Sequence, residues 1–238
     1  MQRPTTHILL CLLTAAVVSA SAGAGSARAS AICGEGTYAY AGYTGFSGRT
    51  GTAGVAARIG QAAALGVRSG HVAGWVGVVD PRSGEAWLQA GLSALPGATR
   101  SDAYYEVAVP GHDPVYHELA LPPGSHRFAV LEARGRPGWW TVSVDGRPVA
   151  SPVHLPGSHG RWVPQVLGES WAGQTSGACN AYAYAFSGVQ LLAAGKPAAG
   201  ITGPLRADAD YVVLGRSQRS FVAASRGITG ARLPATGR

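Results

Sequence analysis

The chain has 238 residues, 46% of them apolar and 13% charged, with 19 Lys and Arg against 12 Asp and Glu. The basic excess is spread thinly and carried almost wholly by Arg, Lys196 being the single lysine. No run of Arg interleaves with aromatic residues, which excludes a nucleic-acid groove, so the charge reads as solubility and weak attraction to anionic polymers.

In chain order, Arg3 precedes an apolar run from Ile8 to Ala20, and small residues follow in Ala-x-Ala patterns at 20–22, 27–29 and 29–31. Residues 1–31 therefore read as a signal peptide cut after Ala29 or Ala31. The run is shorter than the roughly 20 residues of a spanning helix, and no later segment is apolar enough to span. A secreted, extracellular protein without stable membrane insertion is expected. Removing the signal leaves 17 basic and 12 acidic residues. It also leaves Cys33 and Cys179, an even pair in an oxidising compartment, for which a disulfide is expected. Closing so long a loop is worth about 3–5 kcal/mol if unstrained. Two buried thiols are the other reading.

Helical periodicity is nearly absent. The one candidate, the Ala-rich stretch 55–65, reads equally as strand and loop. Short β-rich runs separated by Gly, Pro, Asp and Ser predict strands near 37–43, 72–79, 86–92, 103–109, 115–121, 127–133, 139–144, 162–169 and 181–192. Asp145-Gly146 supplies the turn of a hairpin over 139–149, and 211–214 with 221–223 reads as a last hairpin. This pattern predicts an all-β, two-sheet antiparallel β-sandwich or jelly roll. Its expected limits are residues 32–226, with 227–238 a disordered tail. The string Leu233-Pro234-Ala235-Thr236-Gly237 in that tail matches a wall-sorting motif and reads as chance. Thr37-Tyr38-Ala39-Tyr40-Ala41 and Ala181-Tyr182-Ala183-Tyr184-Ala185 share one alternation. They are expected to be neighbouring strands that bring Cys33 and Cys179 together.

No Gly-x-Ser-x-Gly elbow, P-loop or dinucleotide-binding glycine pattern occurs. His71, His112, His117, His126, His154 and His159 form no metal-ligand spacing, so neither a metal nor another cofactor is expected. Two polar residues stand out inside strand-like runs, Gln89 and Glu169. Strands rarely spend such positions on an amide or a carboxylate unless the group is paired or used. Strand parity puts Trp87 with Gln89, Tyr104 with Glu106, and Gln165 with Glu169 and Trp171. Each strand thus has a mixed polar and aromatic face, suited to a cleft, and an apolar face for the core. The six tryptophans at 75, 87, 139, 140, 162 and 171 divide between core packing, expected for at least three, and ligand stacking.

Gly74-Trp75-Val76-Gly77-Val78, Trp87-Leu88-Gln89-Ala90-Gly91, Asp102-Ala103-Tyr104-Tyr105-Glu106, Pro122-Pro123-Gly124 and Gln165-Val166-Leu167-Gly168-Glu169 occur in that order. With Phe186-Ser187-Gly188-Val189, this set resembles the blocks of the glutamic peptidases, or eqolisins, over roughly residues 50–225. The resemblance implies a concanavalin A-like β-sandwich and a Gln89/Glu169 dyad. Glu169 would activate water and Gln89 would stabilise the oxyanion. Trp75, Trp87, Glu106 and Gln165 would line the substrate cleft. Gln165 stands where the family carries a second Glu, and the acid that the family carries soon after the Trp-Val-Gly block is displaced here to Asp80. The expected partner is an extracellular polypeptide, or a glycan if the protein is a noncatalytic lectin-like module. The expected state is a monomer.

Overall fold

A computed structural model of the chain describes residues 36–45, 52–174, 179–193, 200–201 and 203–228. These residues form strands and no helix. In chain order they are β1 (Tyr38–Thr44), β2 (Thr52–Gln61), β3 (His71–Val79), β4 (Trp87–Ala94), β5 (Asp102–Ala108), β6 (Val115–Leu119), β7 (His126–Glu132) and β8 (Trp139–Val144). There follow β9 (Arg147–Pro148), β10 (Val153–His154), β11 (Val163–Trp171), β12 (Ala183–Ala193), β13 (Leu205–Ala207), β14 (Tyr211–Ser217) and β15 (Ser220–Ser225). The Ala-rich stretch after Val55 is strand β2, not helix: it is paired on both sides, by β7 and β12.

Two antiparallel sheets pack face to face. One runs β13-β1-β11-β3-β4-β5-β6, the other β10-β8-β7-β2-β12-β15-β14, with β9 paired to β8. This is the expected sandwich. The β8–β9 turn is the expected one: Asp145 and Gly146 both have positive φ, at 49° and 81°, as a type I′ hairpin needs. The β14–β15 hairpin completes the edge of the second sheet.

Alternation along each strand divides the residues of the first sheet. Val72, Val76, Val78, Leu88, Ala90, Leu92 and Val166 point inward and join Phe128, Val130, Trp140, Phe186 and Phe221 in the main core. Fully burying each such large side chain contributes about 1.5–3 kcal/mol. Trp140 keeps its indole satisfied, Nε1–H donating to Ser158 Oγ at 2.8 Å. The opposite face carries a separate small cluster of Ala73, Trp75, Tyr104 and Leu167 with Tyr40 against it. That cluster floors the cleft. Of the six tryptophans, Trp140 and Trp162 are buried in the main core, fewer than the three expected there, and Trp75 is buried in the cleft floor.

The two Tyr-Ala repeats correct one expectation. They are not neighbours: β1 lies in the first sheet and β12 in the second. Their parities are also opposite. Ala39 and Ala41 face the core with Tyr38 and Tyr40 outside, whereas Tyr182 and Tyr184 are themselves core residues. The same string serves both purposes because period two fixes which residues share a face, not which face is buried. Cys33 lies outside the described residues, and so do the signal peptide and the sorting-like string.

Tyr182 and Tyr184 dock onto bare backbone. A Cβ at Gly168 would sit 2.6 Å from the Tyr182 ring, and one at Gly74 would sit 2.5 Å from Tyr184 Cγ. Gly74 and Gly168 are partners across β3 and β11. Two rings of one sheet thus fill a notch in the other, under the cleft. Gly74→Ala is expected to cost about 1–3 kcal/mol by overpacking. Urea unfolding should show a lower midpoint at unchanged slope.

Candidate active site

β11, β3, β4 and β5 are consecutive strands of the first sheet, and their outward residues form the site. Glu169 on β11 has Tyr40 and Ala73 as its cross-strand partners. Gln89 on β4 has Gly77 and Glu106. Ala73 and Gly77 are four residues apart on β3, on the order of 13 Å along the strand. Trp75 lies midway between them. Gly77 leaves the space that Gln89 uses: a Cβ there would come 2.9 Å from the Gln89 Cβ and 2.8 Å from Leu88 O.

Glu169 is 5% exposed and Gln89 7%, so each needs partners. Trp75 Nε1–H donates to Glu169 Oε2 at 2.9 Å. His71 Nε2 lies 2.8 Å from Glu169 Oε1, and against an ionised carboxylate it is the donor. Gln89 Nε2 donates to Glu106 Oε2 at 2.9 Å and to the Tyr104 hydroxyl at 3.2 Å. Both amide hydrogens are therefore engaged. Glu106 also accepts from the Trp87 indole.

The site has two lobes. One, of about 330 Å³, is lined by Tyr38, Tyr40, His71, Trp75, Trp87, Gln89, Glu106 and Glu169 among others. The second, of about 230 Å³, is more apolar, with Ala73, Leu95, Tyr104 and Tyr116 beside His71, Gln89 and Glu106. Tyr116 stacks on Tyr104 at 5.1 Å and shares a 2.7 Å hydrogen bond with Ser93 Oγ. His71, Gln89 and Glu106 belong to both lobes, so this polar set sits where they join. Larger hollows elsewhere, near Arg82 and Arg161 and near His112, are lined mainly by loop residues. Among the described residues, no three His, Cys, Asp or Glu side chains gather as a metal-holding group.

Electrostatics follow from this crowding. Burial, then the Glu169 carboxylate, push the Glu106 carboxyl above the ordinary carboxylate range, with His71 and then the Gln89 and Trp87 hydrogen bonds opposing. Tyr38, Tyr40 and Tyr104 are pushed upward by burial first and then by Glu169, so their phenols stay neutral. At the rim, Tyr38 stacks between Tyr40 and Trp171, at 6.2 and 6.0 Å. The Arg206 guanidinium lies 4.1 Å over the Tyr40 ring.

Of the residues singled out in the sequence, Trp75, Trp87, Gln89, Glu106 and Glu169 converge on one lobe. Gln165 does not line it: it lies four residues back along β11, opposite Gly77. Cys179 lies ten residues beyond Glu169 in the chain, next to Asn180, and its expected partner Cys33 is outside the described residues. Sequence reasoning missed two residues. His71 has no metal-ligand spacing to mark it, although parity puts it on the face of Ala73 and Trp75. Asn180, 1% exposed, had no strand pattern to mark it. Its Oδ1 accepts from the backbone of Arg68 and Ser69, and its Nδ2 donates to the carbonyls of Ser69 and Trp171. It pins the start of β3 to the end of β11, and hence His71 beside Glu169.

A carboxyl held above its ordinary pKa makes folding less favourable as pH rises from that ordinary value, near 4.5, because the folded state then binds more protons than the unfolded one. Glu106→Gln keeps an acceptor for Gln89 and removes the charge. Its melting temperature is expected to exceed that of the wild type at pH 7, with the gain shrinking towards pH 4.

No family model matches this sequence, and no curated protein matches it either. Solved structures do. Scytalido-glutamic peptidase, bound to a peptide-based transition-state analogue, superposes with a TM-score of 0.56 at 17% identity, over 79% of this chain and 98% of that one. SCP-B, a member of the eqolisin family of peptidases bound to the tripeptide Ala-Ile-His, gives 0.52 at 16% identity, over 79% and 98%. At these identities the likeness is one of fold: the chain has the concanavalin A-like β-sandwich that these glutamic peptidases share.

Proposed function

We propose that this protein is an exported endopeptidase of the glutamic type. The observation that carries the reading is a buried carboxylate, Glu169, held by donors on both oxygens and facing the same lobe as the Gln89 amide. Buried acid and amide groups in one open cleft are poised for acyl-transfer chemistry rather than for packing. The likeness to peptidases with bound peptide ligands supports the same substrate class.

In this mechanism an extended peptide lies across the two lobes, with its scissile carbonyl between Gln89 and Glu169. Glu169 takes a proton from a water molecule, and the water oxygen bonds to the carbonyl carbon. The carbonyl π electrons move onto oxygen, which accepts a hydrogen bond from Gln89 Nε2–H. To supply it, Gln89 exchanges one of its present bonds, to Tyr104 or Glu106, for the oxyanion. The tetrahedral intermediate then collapses: the C–N bond breaks and the amine leaves with the proton held by Glu169. A general base contributes typically about 10²–10⁴-fold, and an oxyanion donor about 10²–10³-fold.

The expected result is cleavage of a denatured protein substrate by the purified mature chain between pH 2 and 8. Glu169→Gln should lose about 10²-fold or more in kcat, and Gln89→Ala a similar factor, with circular dichroism unchanged. Failure of the wild type to cleave at every pH overturns the reading. A second reading, a noncatalytic glycan-binding module, has one observation in its favour: the Tyr38–Trp171 stack at the rim suits a sugar ring. Glycan-array binding abolished by Trp171→Ala, without any cleavage, would establish it.

Export would also oxidise Cys33 and Cys179. The intact mass of the secreted protein should then rise by two hydrogens on reduction, and no rise would exclude the bridge.

A further inference from the structure

His71 lines the site but takes no part in the proposed proton transfers. His71 is the first residue of β3, and Trp171, two residues beyond Glu169, is its partner on β11. Its ring packs against Trp171 at 5.5 Å, lies edge-on to Tyr38 at 6.2 Å, and reaches Glu169 Oε1 at 2.8 Å. The imidazole is 28% exposed, whereas the carboxylate it meets is 7% exposed. It lines both lobes, so it faces substrate as well as Glu169. The buried Asn180 side chain ties the backbone on either side of the pair. It binds the Ser69 and Trp171 carbonyls and makes a longer 3.3 Å contact to the carbonyl of His71 itself.

We infer that His71 is a positioning residue for the general base, forming with Glu169 a single proton-handling pair that makes turnover depend on the charge of the imidazole. The inference rests on the peptidase reading above. Neutral His71 donates Nε2–H to Oε1 and, with Trp75 on Oε2, fixes the plane of the carboxylate. The remaining lone pairs then point to where water must sit. The proton taken from water goes to Glu169 and leaves on the amine, so His71 keeps its own proton throughout and the balance of the reaction is unchanged. A protonated imidazole alters this. Its positive charge stabilises the ionised carboxylate more than a neutral donor does, and a more stabilised carboxylate is a weaker base for water.

From β11 the imidazole meets Glu169, and from β5 Glu106 acts on it at longer range. From β1 it meets only the Tyr38 phenol, which is pushed upward by burial and the two carboxylates. On β3 itself the outward neighbours are Ala73 and Trp75. The pair should favour turnover with the imidazole neutral over turnover with it protonated.

The test compares wild type, His71→Gln and His71→Ala across pH 4–8. His71→Gln keeps an N–H donor without a titrating charge. It should retain most of the kcat of the wild type at pH 7.5, whereas His71→Ala, lacking any donor, should lose about tenfold in kcat with little change in KM. The ratio of kcat/KM at pH 7.5 to that at pH 5 should be about threefold to tenfold smaller in His71→Gln than in the wild type. In the free protein, proton NMR should show a slowly exchanging downfield ring N–H from His71 that disappears in Glu169→Ala. Superimposable pH profiles for wild type and His71→Gln, with the wild type active, overturn the role of His71 and leave the peptidase reading standing. A wild type that cleaves nothing overturns both. Absence of the ring N–H signal overturns the pairing whatever the activity.

Discussion

A carboxylate on a central strand, 5% exposed, cannot be left without partners. Glu169 is that group, and meeting its charge organises the region around it. Both of its donors come from β3: Trp75 on one oxygen, His71 on the other. They reach it only because β11 and β3 pair with Glu169 opposite Ala73, between the two donors. A slip of one residue would turn His71 and Trp75 to the other face. The register is held from beneath by the Tyr182 and Tyr184 rings in the notch at Gly168 and Gly74. It is held at the end by Asn180, which bonds to both strands.

The second polar centre, Gln89 with Glu106 and Tyr104, is built differently. It stands on neighbouring strands, β4 and β5, with Gln89 and Glu106 directly opposed. Its hydrogen bonds therefore follow from local pairing once the hairpin forms. The two centres are linked through space: the Glu169 charge helps hold Glu106 towards its neutral form. The cleft thus holds two acids and one amide: Glu106 orients the amide, and Glu169 is held by Trp75 and His71.

The faces of the strands were legible in the sequence because alternation is a local property. Trp87 with Gln89, Tyr104 with Glu106, and Glu169 with Trp171 share faces wherever those strands are placed. The type I′ turn at Asp145-Gly146 was legible for the same reason. The Tyr-Ala repeat shows the limit. One string alternates identically at 37–41 and 181–185, yet Tyr38 and Tyr40 face outward in β1 whereas Tyr182 and Tyr184, at the start of β12, face inward. Nothing within five residues records which sheet a strand will join or which side of it will be covered.

His71 and Asn180 were invisible for a related reason. The His71–Glu169 contact joins residues 98 apart in the chain, and Asn180 reaches 111 residues back to Ser69. Both depend on the pairing of β3 with β11 and on the path of the chain between β11 and β12. By itself the sequence determined the β class, the turns and the division of each strand into two faces, which groups Trp87 with Gln89, Tyr104 with Glu106 and Glu169 with Trp171. Only the tertiary structure decided strand order and register, and so which of those groups meet. Alternation is set by bonds between adjacent residues, whereas register is set by packing between strands that the chain holds far apart.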